Sequence, residues 1–236
     1  MSETTEKKVK KKKNKPITVK ANKKGRHVMK FMNFLRILVL PIYFLLKPYR
    51  YYGNRKVKDG ACIYVLNHYT LFDVFYALAT TWEGVHIIAK REVMDAPILG
   101  SIARGVKVIS ANRDGNDVRA LLDAFKCLKN NEKIAIFPEG TRNKEDVDML
   151  EFKHGASAMA IRAKTPIVPI VIYKKPRLFR VAHILIGDPI ELTKYYDKKL
   201  TEEDFKEADE YLRDLMLNMK AEHTEYLKNK KKKRKQ

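Results

Sequence analysis

Short apolar runs alternate with amphipathic stretches along most of this chain. Ala61–Leu66 (ACIYVL), Val85–Ala89, Val106–Ser110, Ile134–Phe137, Ile167–Tyr173 (IVPIVIY) and Val181–Ile186 (VAHILI) are short and mostly apolar, which predicts buried strands. Between them the period changes. Asp73–Thr81, Asn116–Asn130, Gly155–Lys164 and Thr201–Leu227 have helical spacing, and Pro97–Ile102 reads as a loop or short helix. In Asn116–Asn130, Val118, Leu121, Leu122, Phe125 and Leu128 share a face. In Thr201–Leu227, Phe205, Ala208, Leu212, Leu215 and Met219 form one stripe, and Thr201 and Asp204 open the helix in near capping-box spacing. Strands alternating with helices predict an α/β fold, with a mostly parallel or mixed central sheet flanked by helices in a single domain over residues 56–227. At 236 residues the chain has room for one such domain with a sizeable core.

One stretch departs from this alternation. Phe31–Leu46 (FMNFLRILVLPIYFLL) is the most apolar segment, yet it is slightly short of the roughly 17–25 residues that a membrane span needs. Asn33, Arg36 and Pro41 interrupt it. Lys30 on one side, and Lys47, Tyr49, Arg50, Tyr51 and Tyr52 on the other, form a basic and aromatic edge suited to lipid headgroups. No small-residue cleavage site follows, which argues against a signal peptide. The expectation for residues 28–55 is a membrane-associating, Pro-broken helical segment lying in one leaflet. A helix packed on the protein's own core and a true span are the alternatives.

The formal charge of +21 suggests a nucleic-acid binder until it is mapped. Residues 1–30 carry a net +10 and residues 228–236 a net +7, so the body is only mildly basic. Residues 1–27 and 228–236 are expected to be disordered basic tails attracted to an anionic membrane surface, where each Lys or Arg contributes about 1 kcal/mol. Cys62 lies in a strand pattern and Cys127 in a helical one, and both read as small buried hydrophobes. No Cys/His cluster has metal-ligand spacing, so no metal is expected.

Candidate chemistry gathers where strands end, the edge at which open α/β sheets bind ligands. In Asn67-His68-Tyr69-Thr70-Leu71-Phe72-Asp73 an apolar strand runs out at an imidazole, and the chain must turn before a helix begins at Asp73. Such a turn can bring the carboxylate within reach of imidazole Nδ1, fixing the tautomer and leaving Nε2 as a base. A surface His beside an Asp N-cap is the plainer alternative. The five-residue spacing is a weak pattern and recurs at His183/Asp188. There an extended chain would separate the pair by about 16 Å on opposite faces, so His183 is expected to be a satisfied sheet histidine.

A second segment shifts the balance. Phe137-Pro138-Glu139-Gly140-Thr141-Arg142 follows another strand. Gly140 permits close approach or positive φ, and Arg142 can grip a phosphate through two parallel hydrogen bonds. Lys90 and Arg113 end two further strands. A His–Asp pair among three cations suits acylation of an alcohol on a phosphate-bearing molecule.

In order along the chain, these segments resemble the blocks of the 1-acyl-sn-glycerol-3-phosphate acyltransferase family and its glycerolipid relatives. NHYTLFD is similar to the family's NHxSxxD block, with Thr70 where Ser is common. Lys90-Arg91-Glu92 with Pro97, Gly100 and Val108–Arg113 resembles the second block, Phe137–Arg142 the third, and Thr165–Pro169 the fourth. The resemblance covers roughly residues 60–190. It implies transfer of a fatty acyl group from a thioester to the 2-hydroxyl of lysophosphatidate, giving phosphatidate. His68 would be the base and Asp73 its orienting partner. Lys90, Arg113 and Arg142 would hold the phosphate, and Glu139 would orient Arg142 or contact the glycerol. Gly140 and Thr141 complete the substrate-binding set, with an N–H near Gly140 as oxyanion donor. It implies no cofactor, an acyl-CoA or acyl carrier protein thioester as co-substrate, a membrane lipid substrate and no nucleic acid. The expected location is the cytoplasmic face of the cell membrane, peripheral or monotopic. The alternatives are glycerol 3-phosphate or another lysolipid as acceptor, or, in a different class, a basic nucleic-acid-binding protein.

Overall fold

The computed structural model describes residues 31–233, apart from 32, 55–59, 82, 96, 98–99, 101–102, 105–107, 112–117 and 154. The expected tail at 1–27 therefore lies outside the described residues.

Seven strands form one sheet: β1 (Tyr49–Gly53), β2 (Ile63–Leu66), β3 (Val85–Lys90), β4 (Ile109–Ala111), β5 (Lys133–Ile136), β6 (Ile167–Ile172) and β7 (Ala182–Ile186), in the order β1-β7-β6-β2-β5-β3-β4. All neighbours are parallel except β6 and β7, which pair antiparallel. The middle strands β2, β5 and β6 are buried along their whole length, which is why they read as continuous apolar runs.

Side chains alternate across β2, and the two faces build two cores. Ile63 and Val65 join a layer with α4 (Val118–Lys129), α5 (Ala156–Ala163) and α6 (Glu202–Lys233). Tyr64 and Leu66 join the opposite layer with Tyr76, Ala77 and Leu78 of α2 (Val74–Leu78) and Leu40 of α1 (Leu40–Leu46). A short helix, α3 (Arg91–Asp95), follows β3.

Pro169 sits within the central strand β6, where a missing N–H would ordinarily break a ladder. Its carbonyl accepts from the Gly187 N–H at 2.9 Å, so its nitrogen faces the same, β7, side. The β6–β7 ladder begins only at Ile170, so Pro169 stands at its start, and the single N–H it lacks is the one that would face the Gly187 carbonyl. A Cβ on Gly187 would lie 2.7 Å from the Pro169 ring, which keeps that position small.

Two expectations are corrected. Residues 228–233 are not a tail apart from the domain, because α6 runs helical to Lys233. Tyr49–Gly53 is a strand, β1, rather than part of a helical segment. Its aromatic, basic sequence reads equally as a lipid-headgroup edge, and only pairing with β7 decides the matter.

The apolar segment is helical, with a π-helical stretch at Leu35–Val39 leading into α1 and Pro41 in the first turn of α1. It lies on the body by one side. Arg36 is buried and donates from Nε to the Leu78 carbonyl at 3.1 Å and from Nη2 to the Glu83 carbonyl at 2.7 Å. Phe44 packs on Tyr49 with ring centroids 4.0 Å apart. The other side leaves Ile37, Leu38, Ile42 and Leu45 exposed. Among the described residues no helix is long and apolar enough to cross a membrane.

Candidate functional site

Because β2, β5 and β3 are parallel neighbours, their carboxyl ends meet at one edge of the sheet. His68 leaves β2, Phe137–Arg142 leaves β5, and Lys90 closes β3.

The turn after β2 is organised around Asp73, whose side chain is fully buried. Its Oδ2 accepts the Tyr69 N–H at 2.6 Å and the Thr70 N–H at 2.7 Å, and lies 3.2 Å from His68 Nδ1. Its Oδ1 accepts the Thr70 hydroxyl at 2.6 Å. A carboxylate is acceptor-only, so Nδ1 carries the proton toward it and Nε2 is left with its lone pair. The imidazole keeps 17% of its surface open and stacks on Phe137, with centroids 4.1 Å apart. The structure thus brings the expected His–Asp pair together. A Thr at position 70 supplies the hydroxyl that Ser would.

Glu139 stands elsewhere than expected. It is 1% exposed, and its two oxygens accept the His68 N–H at 2.7 Å and the Leu150 N–H at 3.0 Å. Burial pushes its carboxyl up from the usual range, against the two backbone bonds that favour the anion. Glu139 therefore fastens the turn that carries His68 to the loop that follows β5. With both oxygens engaged inside the protein, the expectation that it touches glycerol or aims Arg142 gives way to this positioning role.

Other contacts brace the same turn. The Asn143 N–H donates to the His68 carbonyl at 2.6 Å. Asn67, 1% exposed, binds both backbone groups of Ile172, donating to its carbonyl at 3.0 Å and accepting its N–H at 2.8 Å. Asn67, Phe137, Asn143 and Leu150 were not singled out by sequence reasoning. Asn67 and Phe137 lie in the two motifs, but nothing in their spacing reports a contact across strands.

Gly140 has φ +62°, as its position between Glu139 and Arg142 allowed. Its N–H donates to the Phe137 carbonyl at 3.0 Å, so it closes a turn and does not itself face a substrate oxygen. A Cβ there would come within 3.0 Å of the Lys153 side chain. Thr141 and Arg142 follow on the exposed side, and Lys90 is exposed at the end of β3. Arg113 lies outside the described residues, two positions after the last residue of β4.

The second His–Asp match does not close on itself. His183 Nδ1 lies 2.7 Å from His223 Nε2 on α6, while Asp188 accepts from Asn54 at 2.7 Å. Burial, with His183 alongside, pushes His223 down to about 4.

At the opposite, amino-terminal edge of the sheet, three side chains meet that are far apart in sequence. His86 Nε2 lies 2.8 Å from Glu132 Oε2 with Cys127 beside them, and their donor atoms fall within 4.8 Å of one another. The absence of metal-ligand spacing along the sequence therefore did not foretell this grouping, which forms between β3, the end of α4 and the turn that enters β5. Burial opposes the imidazolium, but hydrogen bonds to Cys127 and Glu132 outweigh it and push His86 up to about 10. His86 and Glu132 thus face each other as an ion pair.

Three comparisons bear on this geometry. The Acyltransferase family model matches residues 49–173. The chain is 35% identical over 122 residues to a 1-acyl-sn-glycerol-3-phosphate acyltransferase of Helicobacter pylori, covering 51% of this chain and 52% of that protein. It is 35% identical over 113 residues to the human 1-acyl-sn-glycerol-3-phosphate acyltransferase beta, covering 47% and 40%. The chain thus spans about half the length of these relatives. The fold is similar to that of the 1-acyl-sn-glycerophosphate (LPA) acyltransferase PlsC from Thermotoga maritima, with a TM-score of 0.56, 20% identity, and coverage of 85% of this chain and 96% of that one. The matched span runs from β1 through the end of β6 and contains both strand-end motifs, and with more than half of its residues inside that model the chain belongs to the Acyltransferase family.

Proposed function

We propose that the protein transfers a fatty acyl group from an acyl thioester to the 2-hydroxyl of 1-acyl-sn-glycerol 3-phosphate, forming phosphatidate. The observation that carries this reading is the Asp73-held imidazole, open at one edge of the sheet. The names of the two relatives agree with it.

His68 Nε2 takes the proton of the acceptor hydroxyl as its oxygen attacks the thioester carbonyl carbon. A positioned base of this kind is worth about 10²–10⁴-fold. Asp73 stabilises the imidazolium through Nδ1–H. The tetrahedral intermediate then collapses, the C–S bond breaks, and the thiolate leaves as the imidazolium returns its proton. No acyl-enzyme is required. The N–H groups of Thr141 and Arg142 have no acceptor among the described residues and are the candidates for the oxyanion. Lys90, Arg113 and Arg142 provide the charge for the phosphate. The donor is a thioester of coenzyme A or of acyl carrier protein, and the site works at the cytoplasmic face of a membrane that holds the lipid acceptor.

The test is thiol release from an acyl thioester with a panel of acceptors. Lysophosphatidate should give the fastest release. Equal release with water alone, or a clear preference for glycerol 3-phosphate, would overturn the assignment of acceptor.

A further inference from the structure

We propose that the loop joining β6 to β7, residues 173–181, docks on an anionic lipid bilayer through Leu178, Phe179 and Val181 and the four cations around them. The inference rests on the acyl-transfer reading for what the docked site does, but the surface itself is argued from the loop.

Position comes first. β6 lies beside β2 and parallel to it, so this loop leaves the same edge of the sheet as His68. Asn67, the residue before His68, holds both backbone groups of Ile172, the last residue of β6. The loop therefore starts next to the candidate base.

Its composition is unusual for a connection. Lys174–Val181 reads KKPRLFRV, with four cations and no acid. Leu178, Phe179 and Val181 are exposed, Phe179 by 73%. Pro176 is buried and roots the loop, and the Arg180 N–H closes a turn on the Arg177 carbonyl. Phe179 has φ +55°, a region that a bulky L-residue seldom adopts. Its N–H is meanwhile fixed to the Leu46 carbonyl at 2.7 Å. The backbone is held, and the ring stands out in solvent.

That bond also makes the surface continuous. Leu46 ends α1, whose outer side exposes Ile37, Leu38, Ile42 and Leu45, the last by 78%. Phe72, next to Asp73, is exposed as well and lies 5.8 Å from the Tyr43 ring of α1. Exposed apolar area of this extent marks an interaction surface. Cations interleaved with the apolar tips select its occupant. They match the negative headgroups of a bilayer while the side chains between them enter the acyl boundary. Docked in this way, the carboxyl edge of the sheet would face the layer that holds a lipid acceptor.

The experiment uses the full chain and two kinds of vesicle, phosphatidylcholine alone and phosphatidylcholine with phosphatidylglycerol. Leu178→Ser/Phe179→Ser/Val181→Ser should bind both vesicles at least tenfold more weakly. Lys174→Gln/Lys175→Gln/Arg177→Gln/Arg180→Gln should lose affinity for the anionic vesicle alone, by up to about fivefold per cation at low salt. That loss should vanish at 1 M salt, where the Debye length is about 3 Å. A Trp82→Phe/Phe179→Trp chain carries one indole in the loop, and its emission should shift to the blue on vesicles, which reads the contact even if the serine variant does not fold. Unchanged vesicle binding of both loop variants, or an indole that stays in water on bound protein, overturns the proposal. Turnover separates this from the catalytic reading. Both loop variants should acylate a short-chain, water-soluble lysophosphatidate at the parent rate and a bilayer-embedded one slowly. Equal loss on both substrates would show the loop to be structural and also overturn the proposal. A parent chain that binds vesicles yet acylates neither substrate would refute the acyl-transfer reading and leave the docking surface standing.

Discussion

Replacing Glu139 by Gln keeps the shape of the side chain and removes its charge. In the folded protein the two carboxylate oxygens accept N–H groups from His68 and Leu150, at 2.7 and 3.0 Å. A Gln can offer an oxygen to only one of them and must turn its NH₂ toward the other. One charge-assisted bond, worth about 1.5–3 kcal/mol, is lost, and a donor is left facing a donor. Part of this is offset, because burial already disfavours the anion and raises the Glu139 carboxyl. A net loss of about 1–3 kcal/mol follows, which lowers Tm by roughly 2–12 °C for a domain of this size. The N–H that is disturbed belongs to His68 itself, so the imidazole shifts with it. Misplacement by about 1 Å costs on the order of 10²-fold in rate. Thermal unfolding and steady-state kinetics together make the test. Tm and kcat should fall, while KM for the phosphate-bearing acceptor stays within about twofold. A raised acceptor KM with unchanged Tm and kcat would refute the reasoning and make Glu139 a substrate contact.

His68→Ala should abolish acyl transfer with the fold retained by circular dichroism, whereas His183→Ala should leave turnover near the parent value. Comparable losses in both would show the wrong histidine to be the base. Arg142→Ala should raise KM for the phosphate-bearing acceptor by about 10–100-fold, as removal of one charge-assisted bond predicts, with the thioester KM little changed. A defect confined to the donor would assign Arg142 to the donor's phosphates instead. His223 is held neutral in the folded protein down to about 4, but takes a proton near 6.5 when unfolded. The unfolded state then binds more protons between these values. Stability is full above about pH 6.5 and falls by about 2–3 kcal/mol as the pH drops toward 4. Denaturant unfolding at pH 7.5 and 4.5 should show this loss in the parent and a smaller one in His223→Gln; an equal loss in both would assign the acid sensitivity to other groups.

The parts of the fold legible in the sequence were those where local pattern and tertiary packing agree. Strands β2, β5 and β6 are buried on both faces, so their apolar runs stood out against polar neighbours. The stripe on α6 was readable for the same reason, since Phe205, Ala208 and Leu212 are the residues it buries. β1 was missed because it is a short edge strand of three tyrosines and one arginine, and its identity depends on β7, more than a hundred residues away. The end of α6 was missed because its last residues are nearly all lysine. Composition read them as a solvated tail, while the helix already formed upstream carries them as its final turns. Lysines there also complement the helix dipole.

At the site, residue types were legible and their roles only partly so. Glu139 shows the difference. From its place between a strand and a Gly-Thr-Arg turn it reads as a group facing substrate, and only burial reveals that its partners are backbone N–H groups 71 and 11 residues away in the chain. The His–Asp pair was legible because its geometry is local. Tyr69 and Thr70 both point their N–H groups at Asp73 Oδ2, and the Thr70 hydroxyl takes Oδ1, so three of the carboxylate's partners come from within four residues of it. The carboxylate cannot swing away from His68 without breaking those bonds. The spacing matters because five residues suffice for a turn that closes on its own carboxylate. The same spacing at His183 and Asp188 lies along a strand and closes nothing, and each of those side chains found a different partner. A Thr serves at position 70 as well as a Ser would, since the turn asks that residue for an N–H and an O–H and both residues supply them.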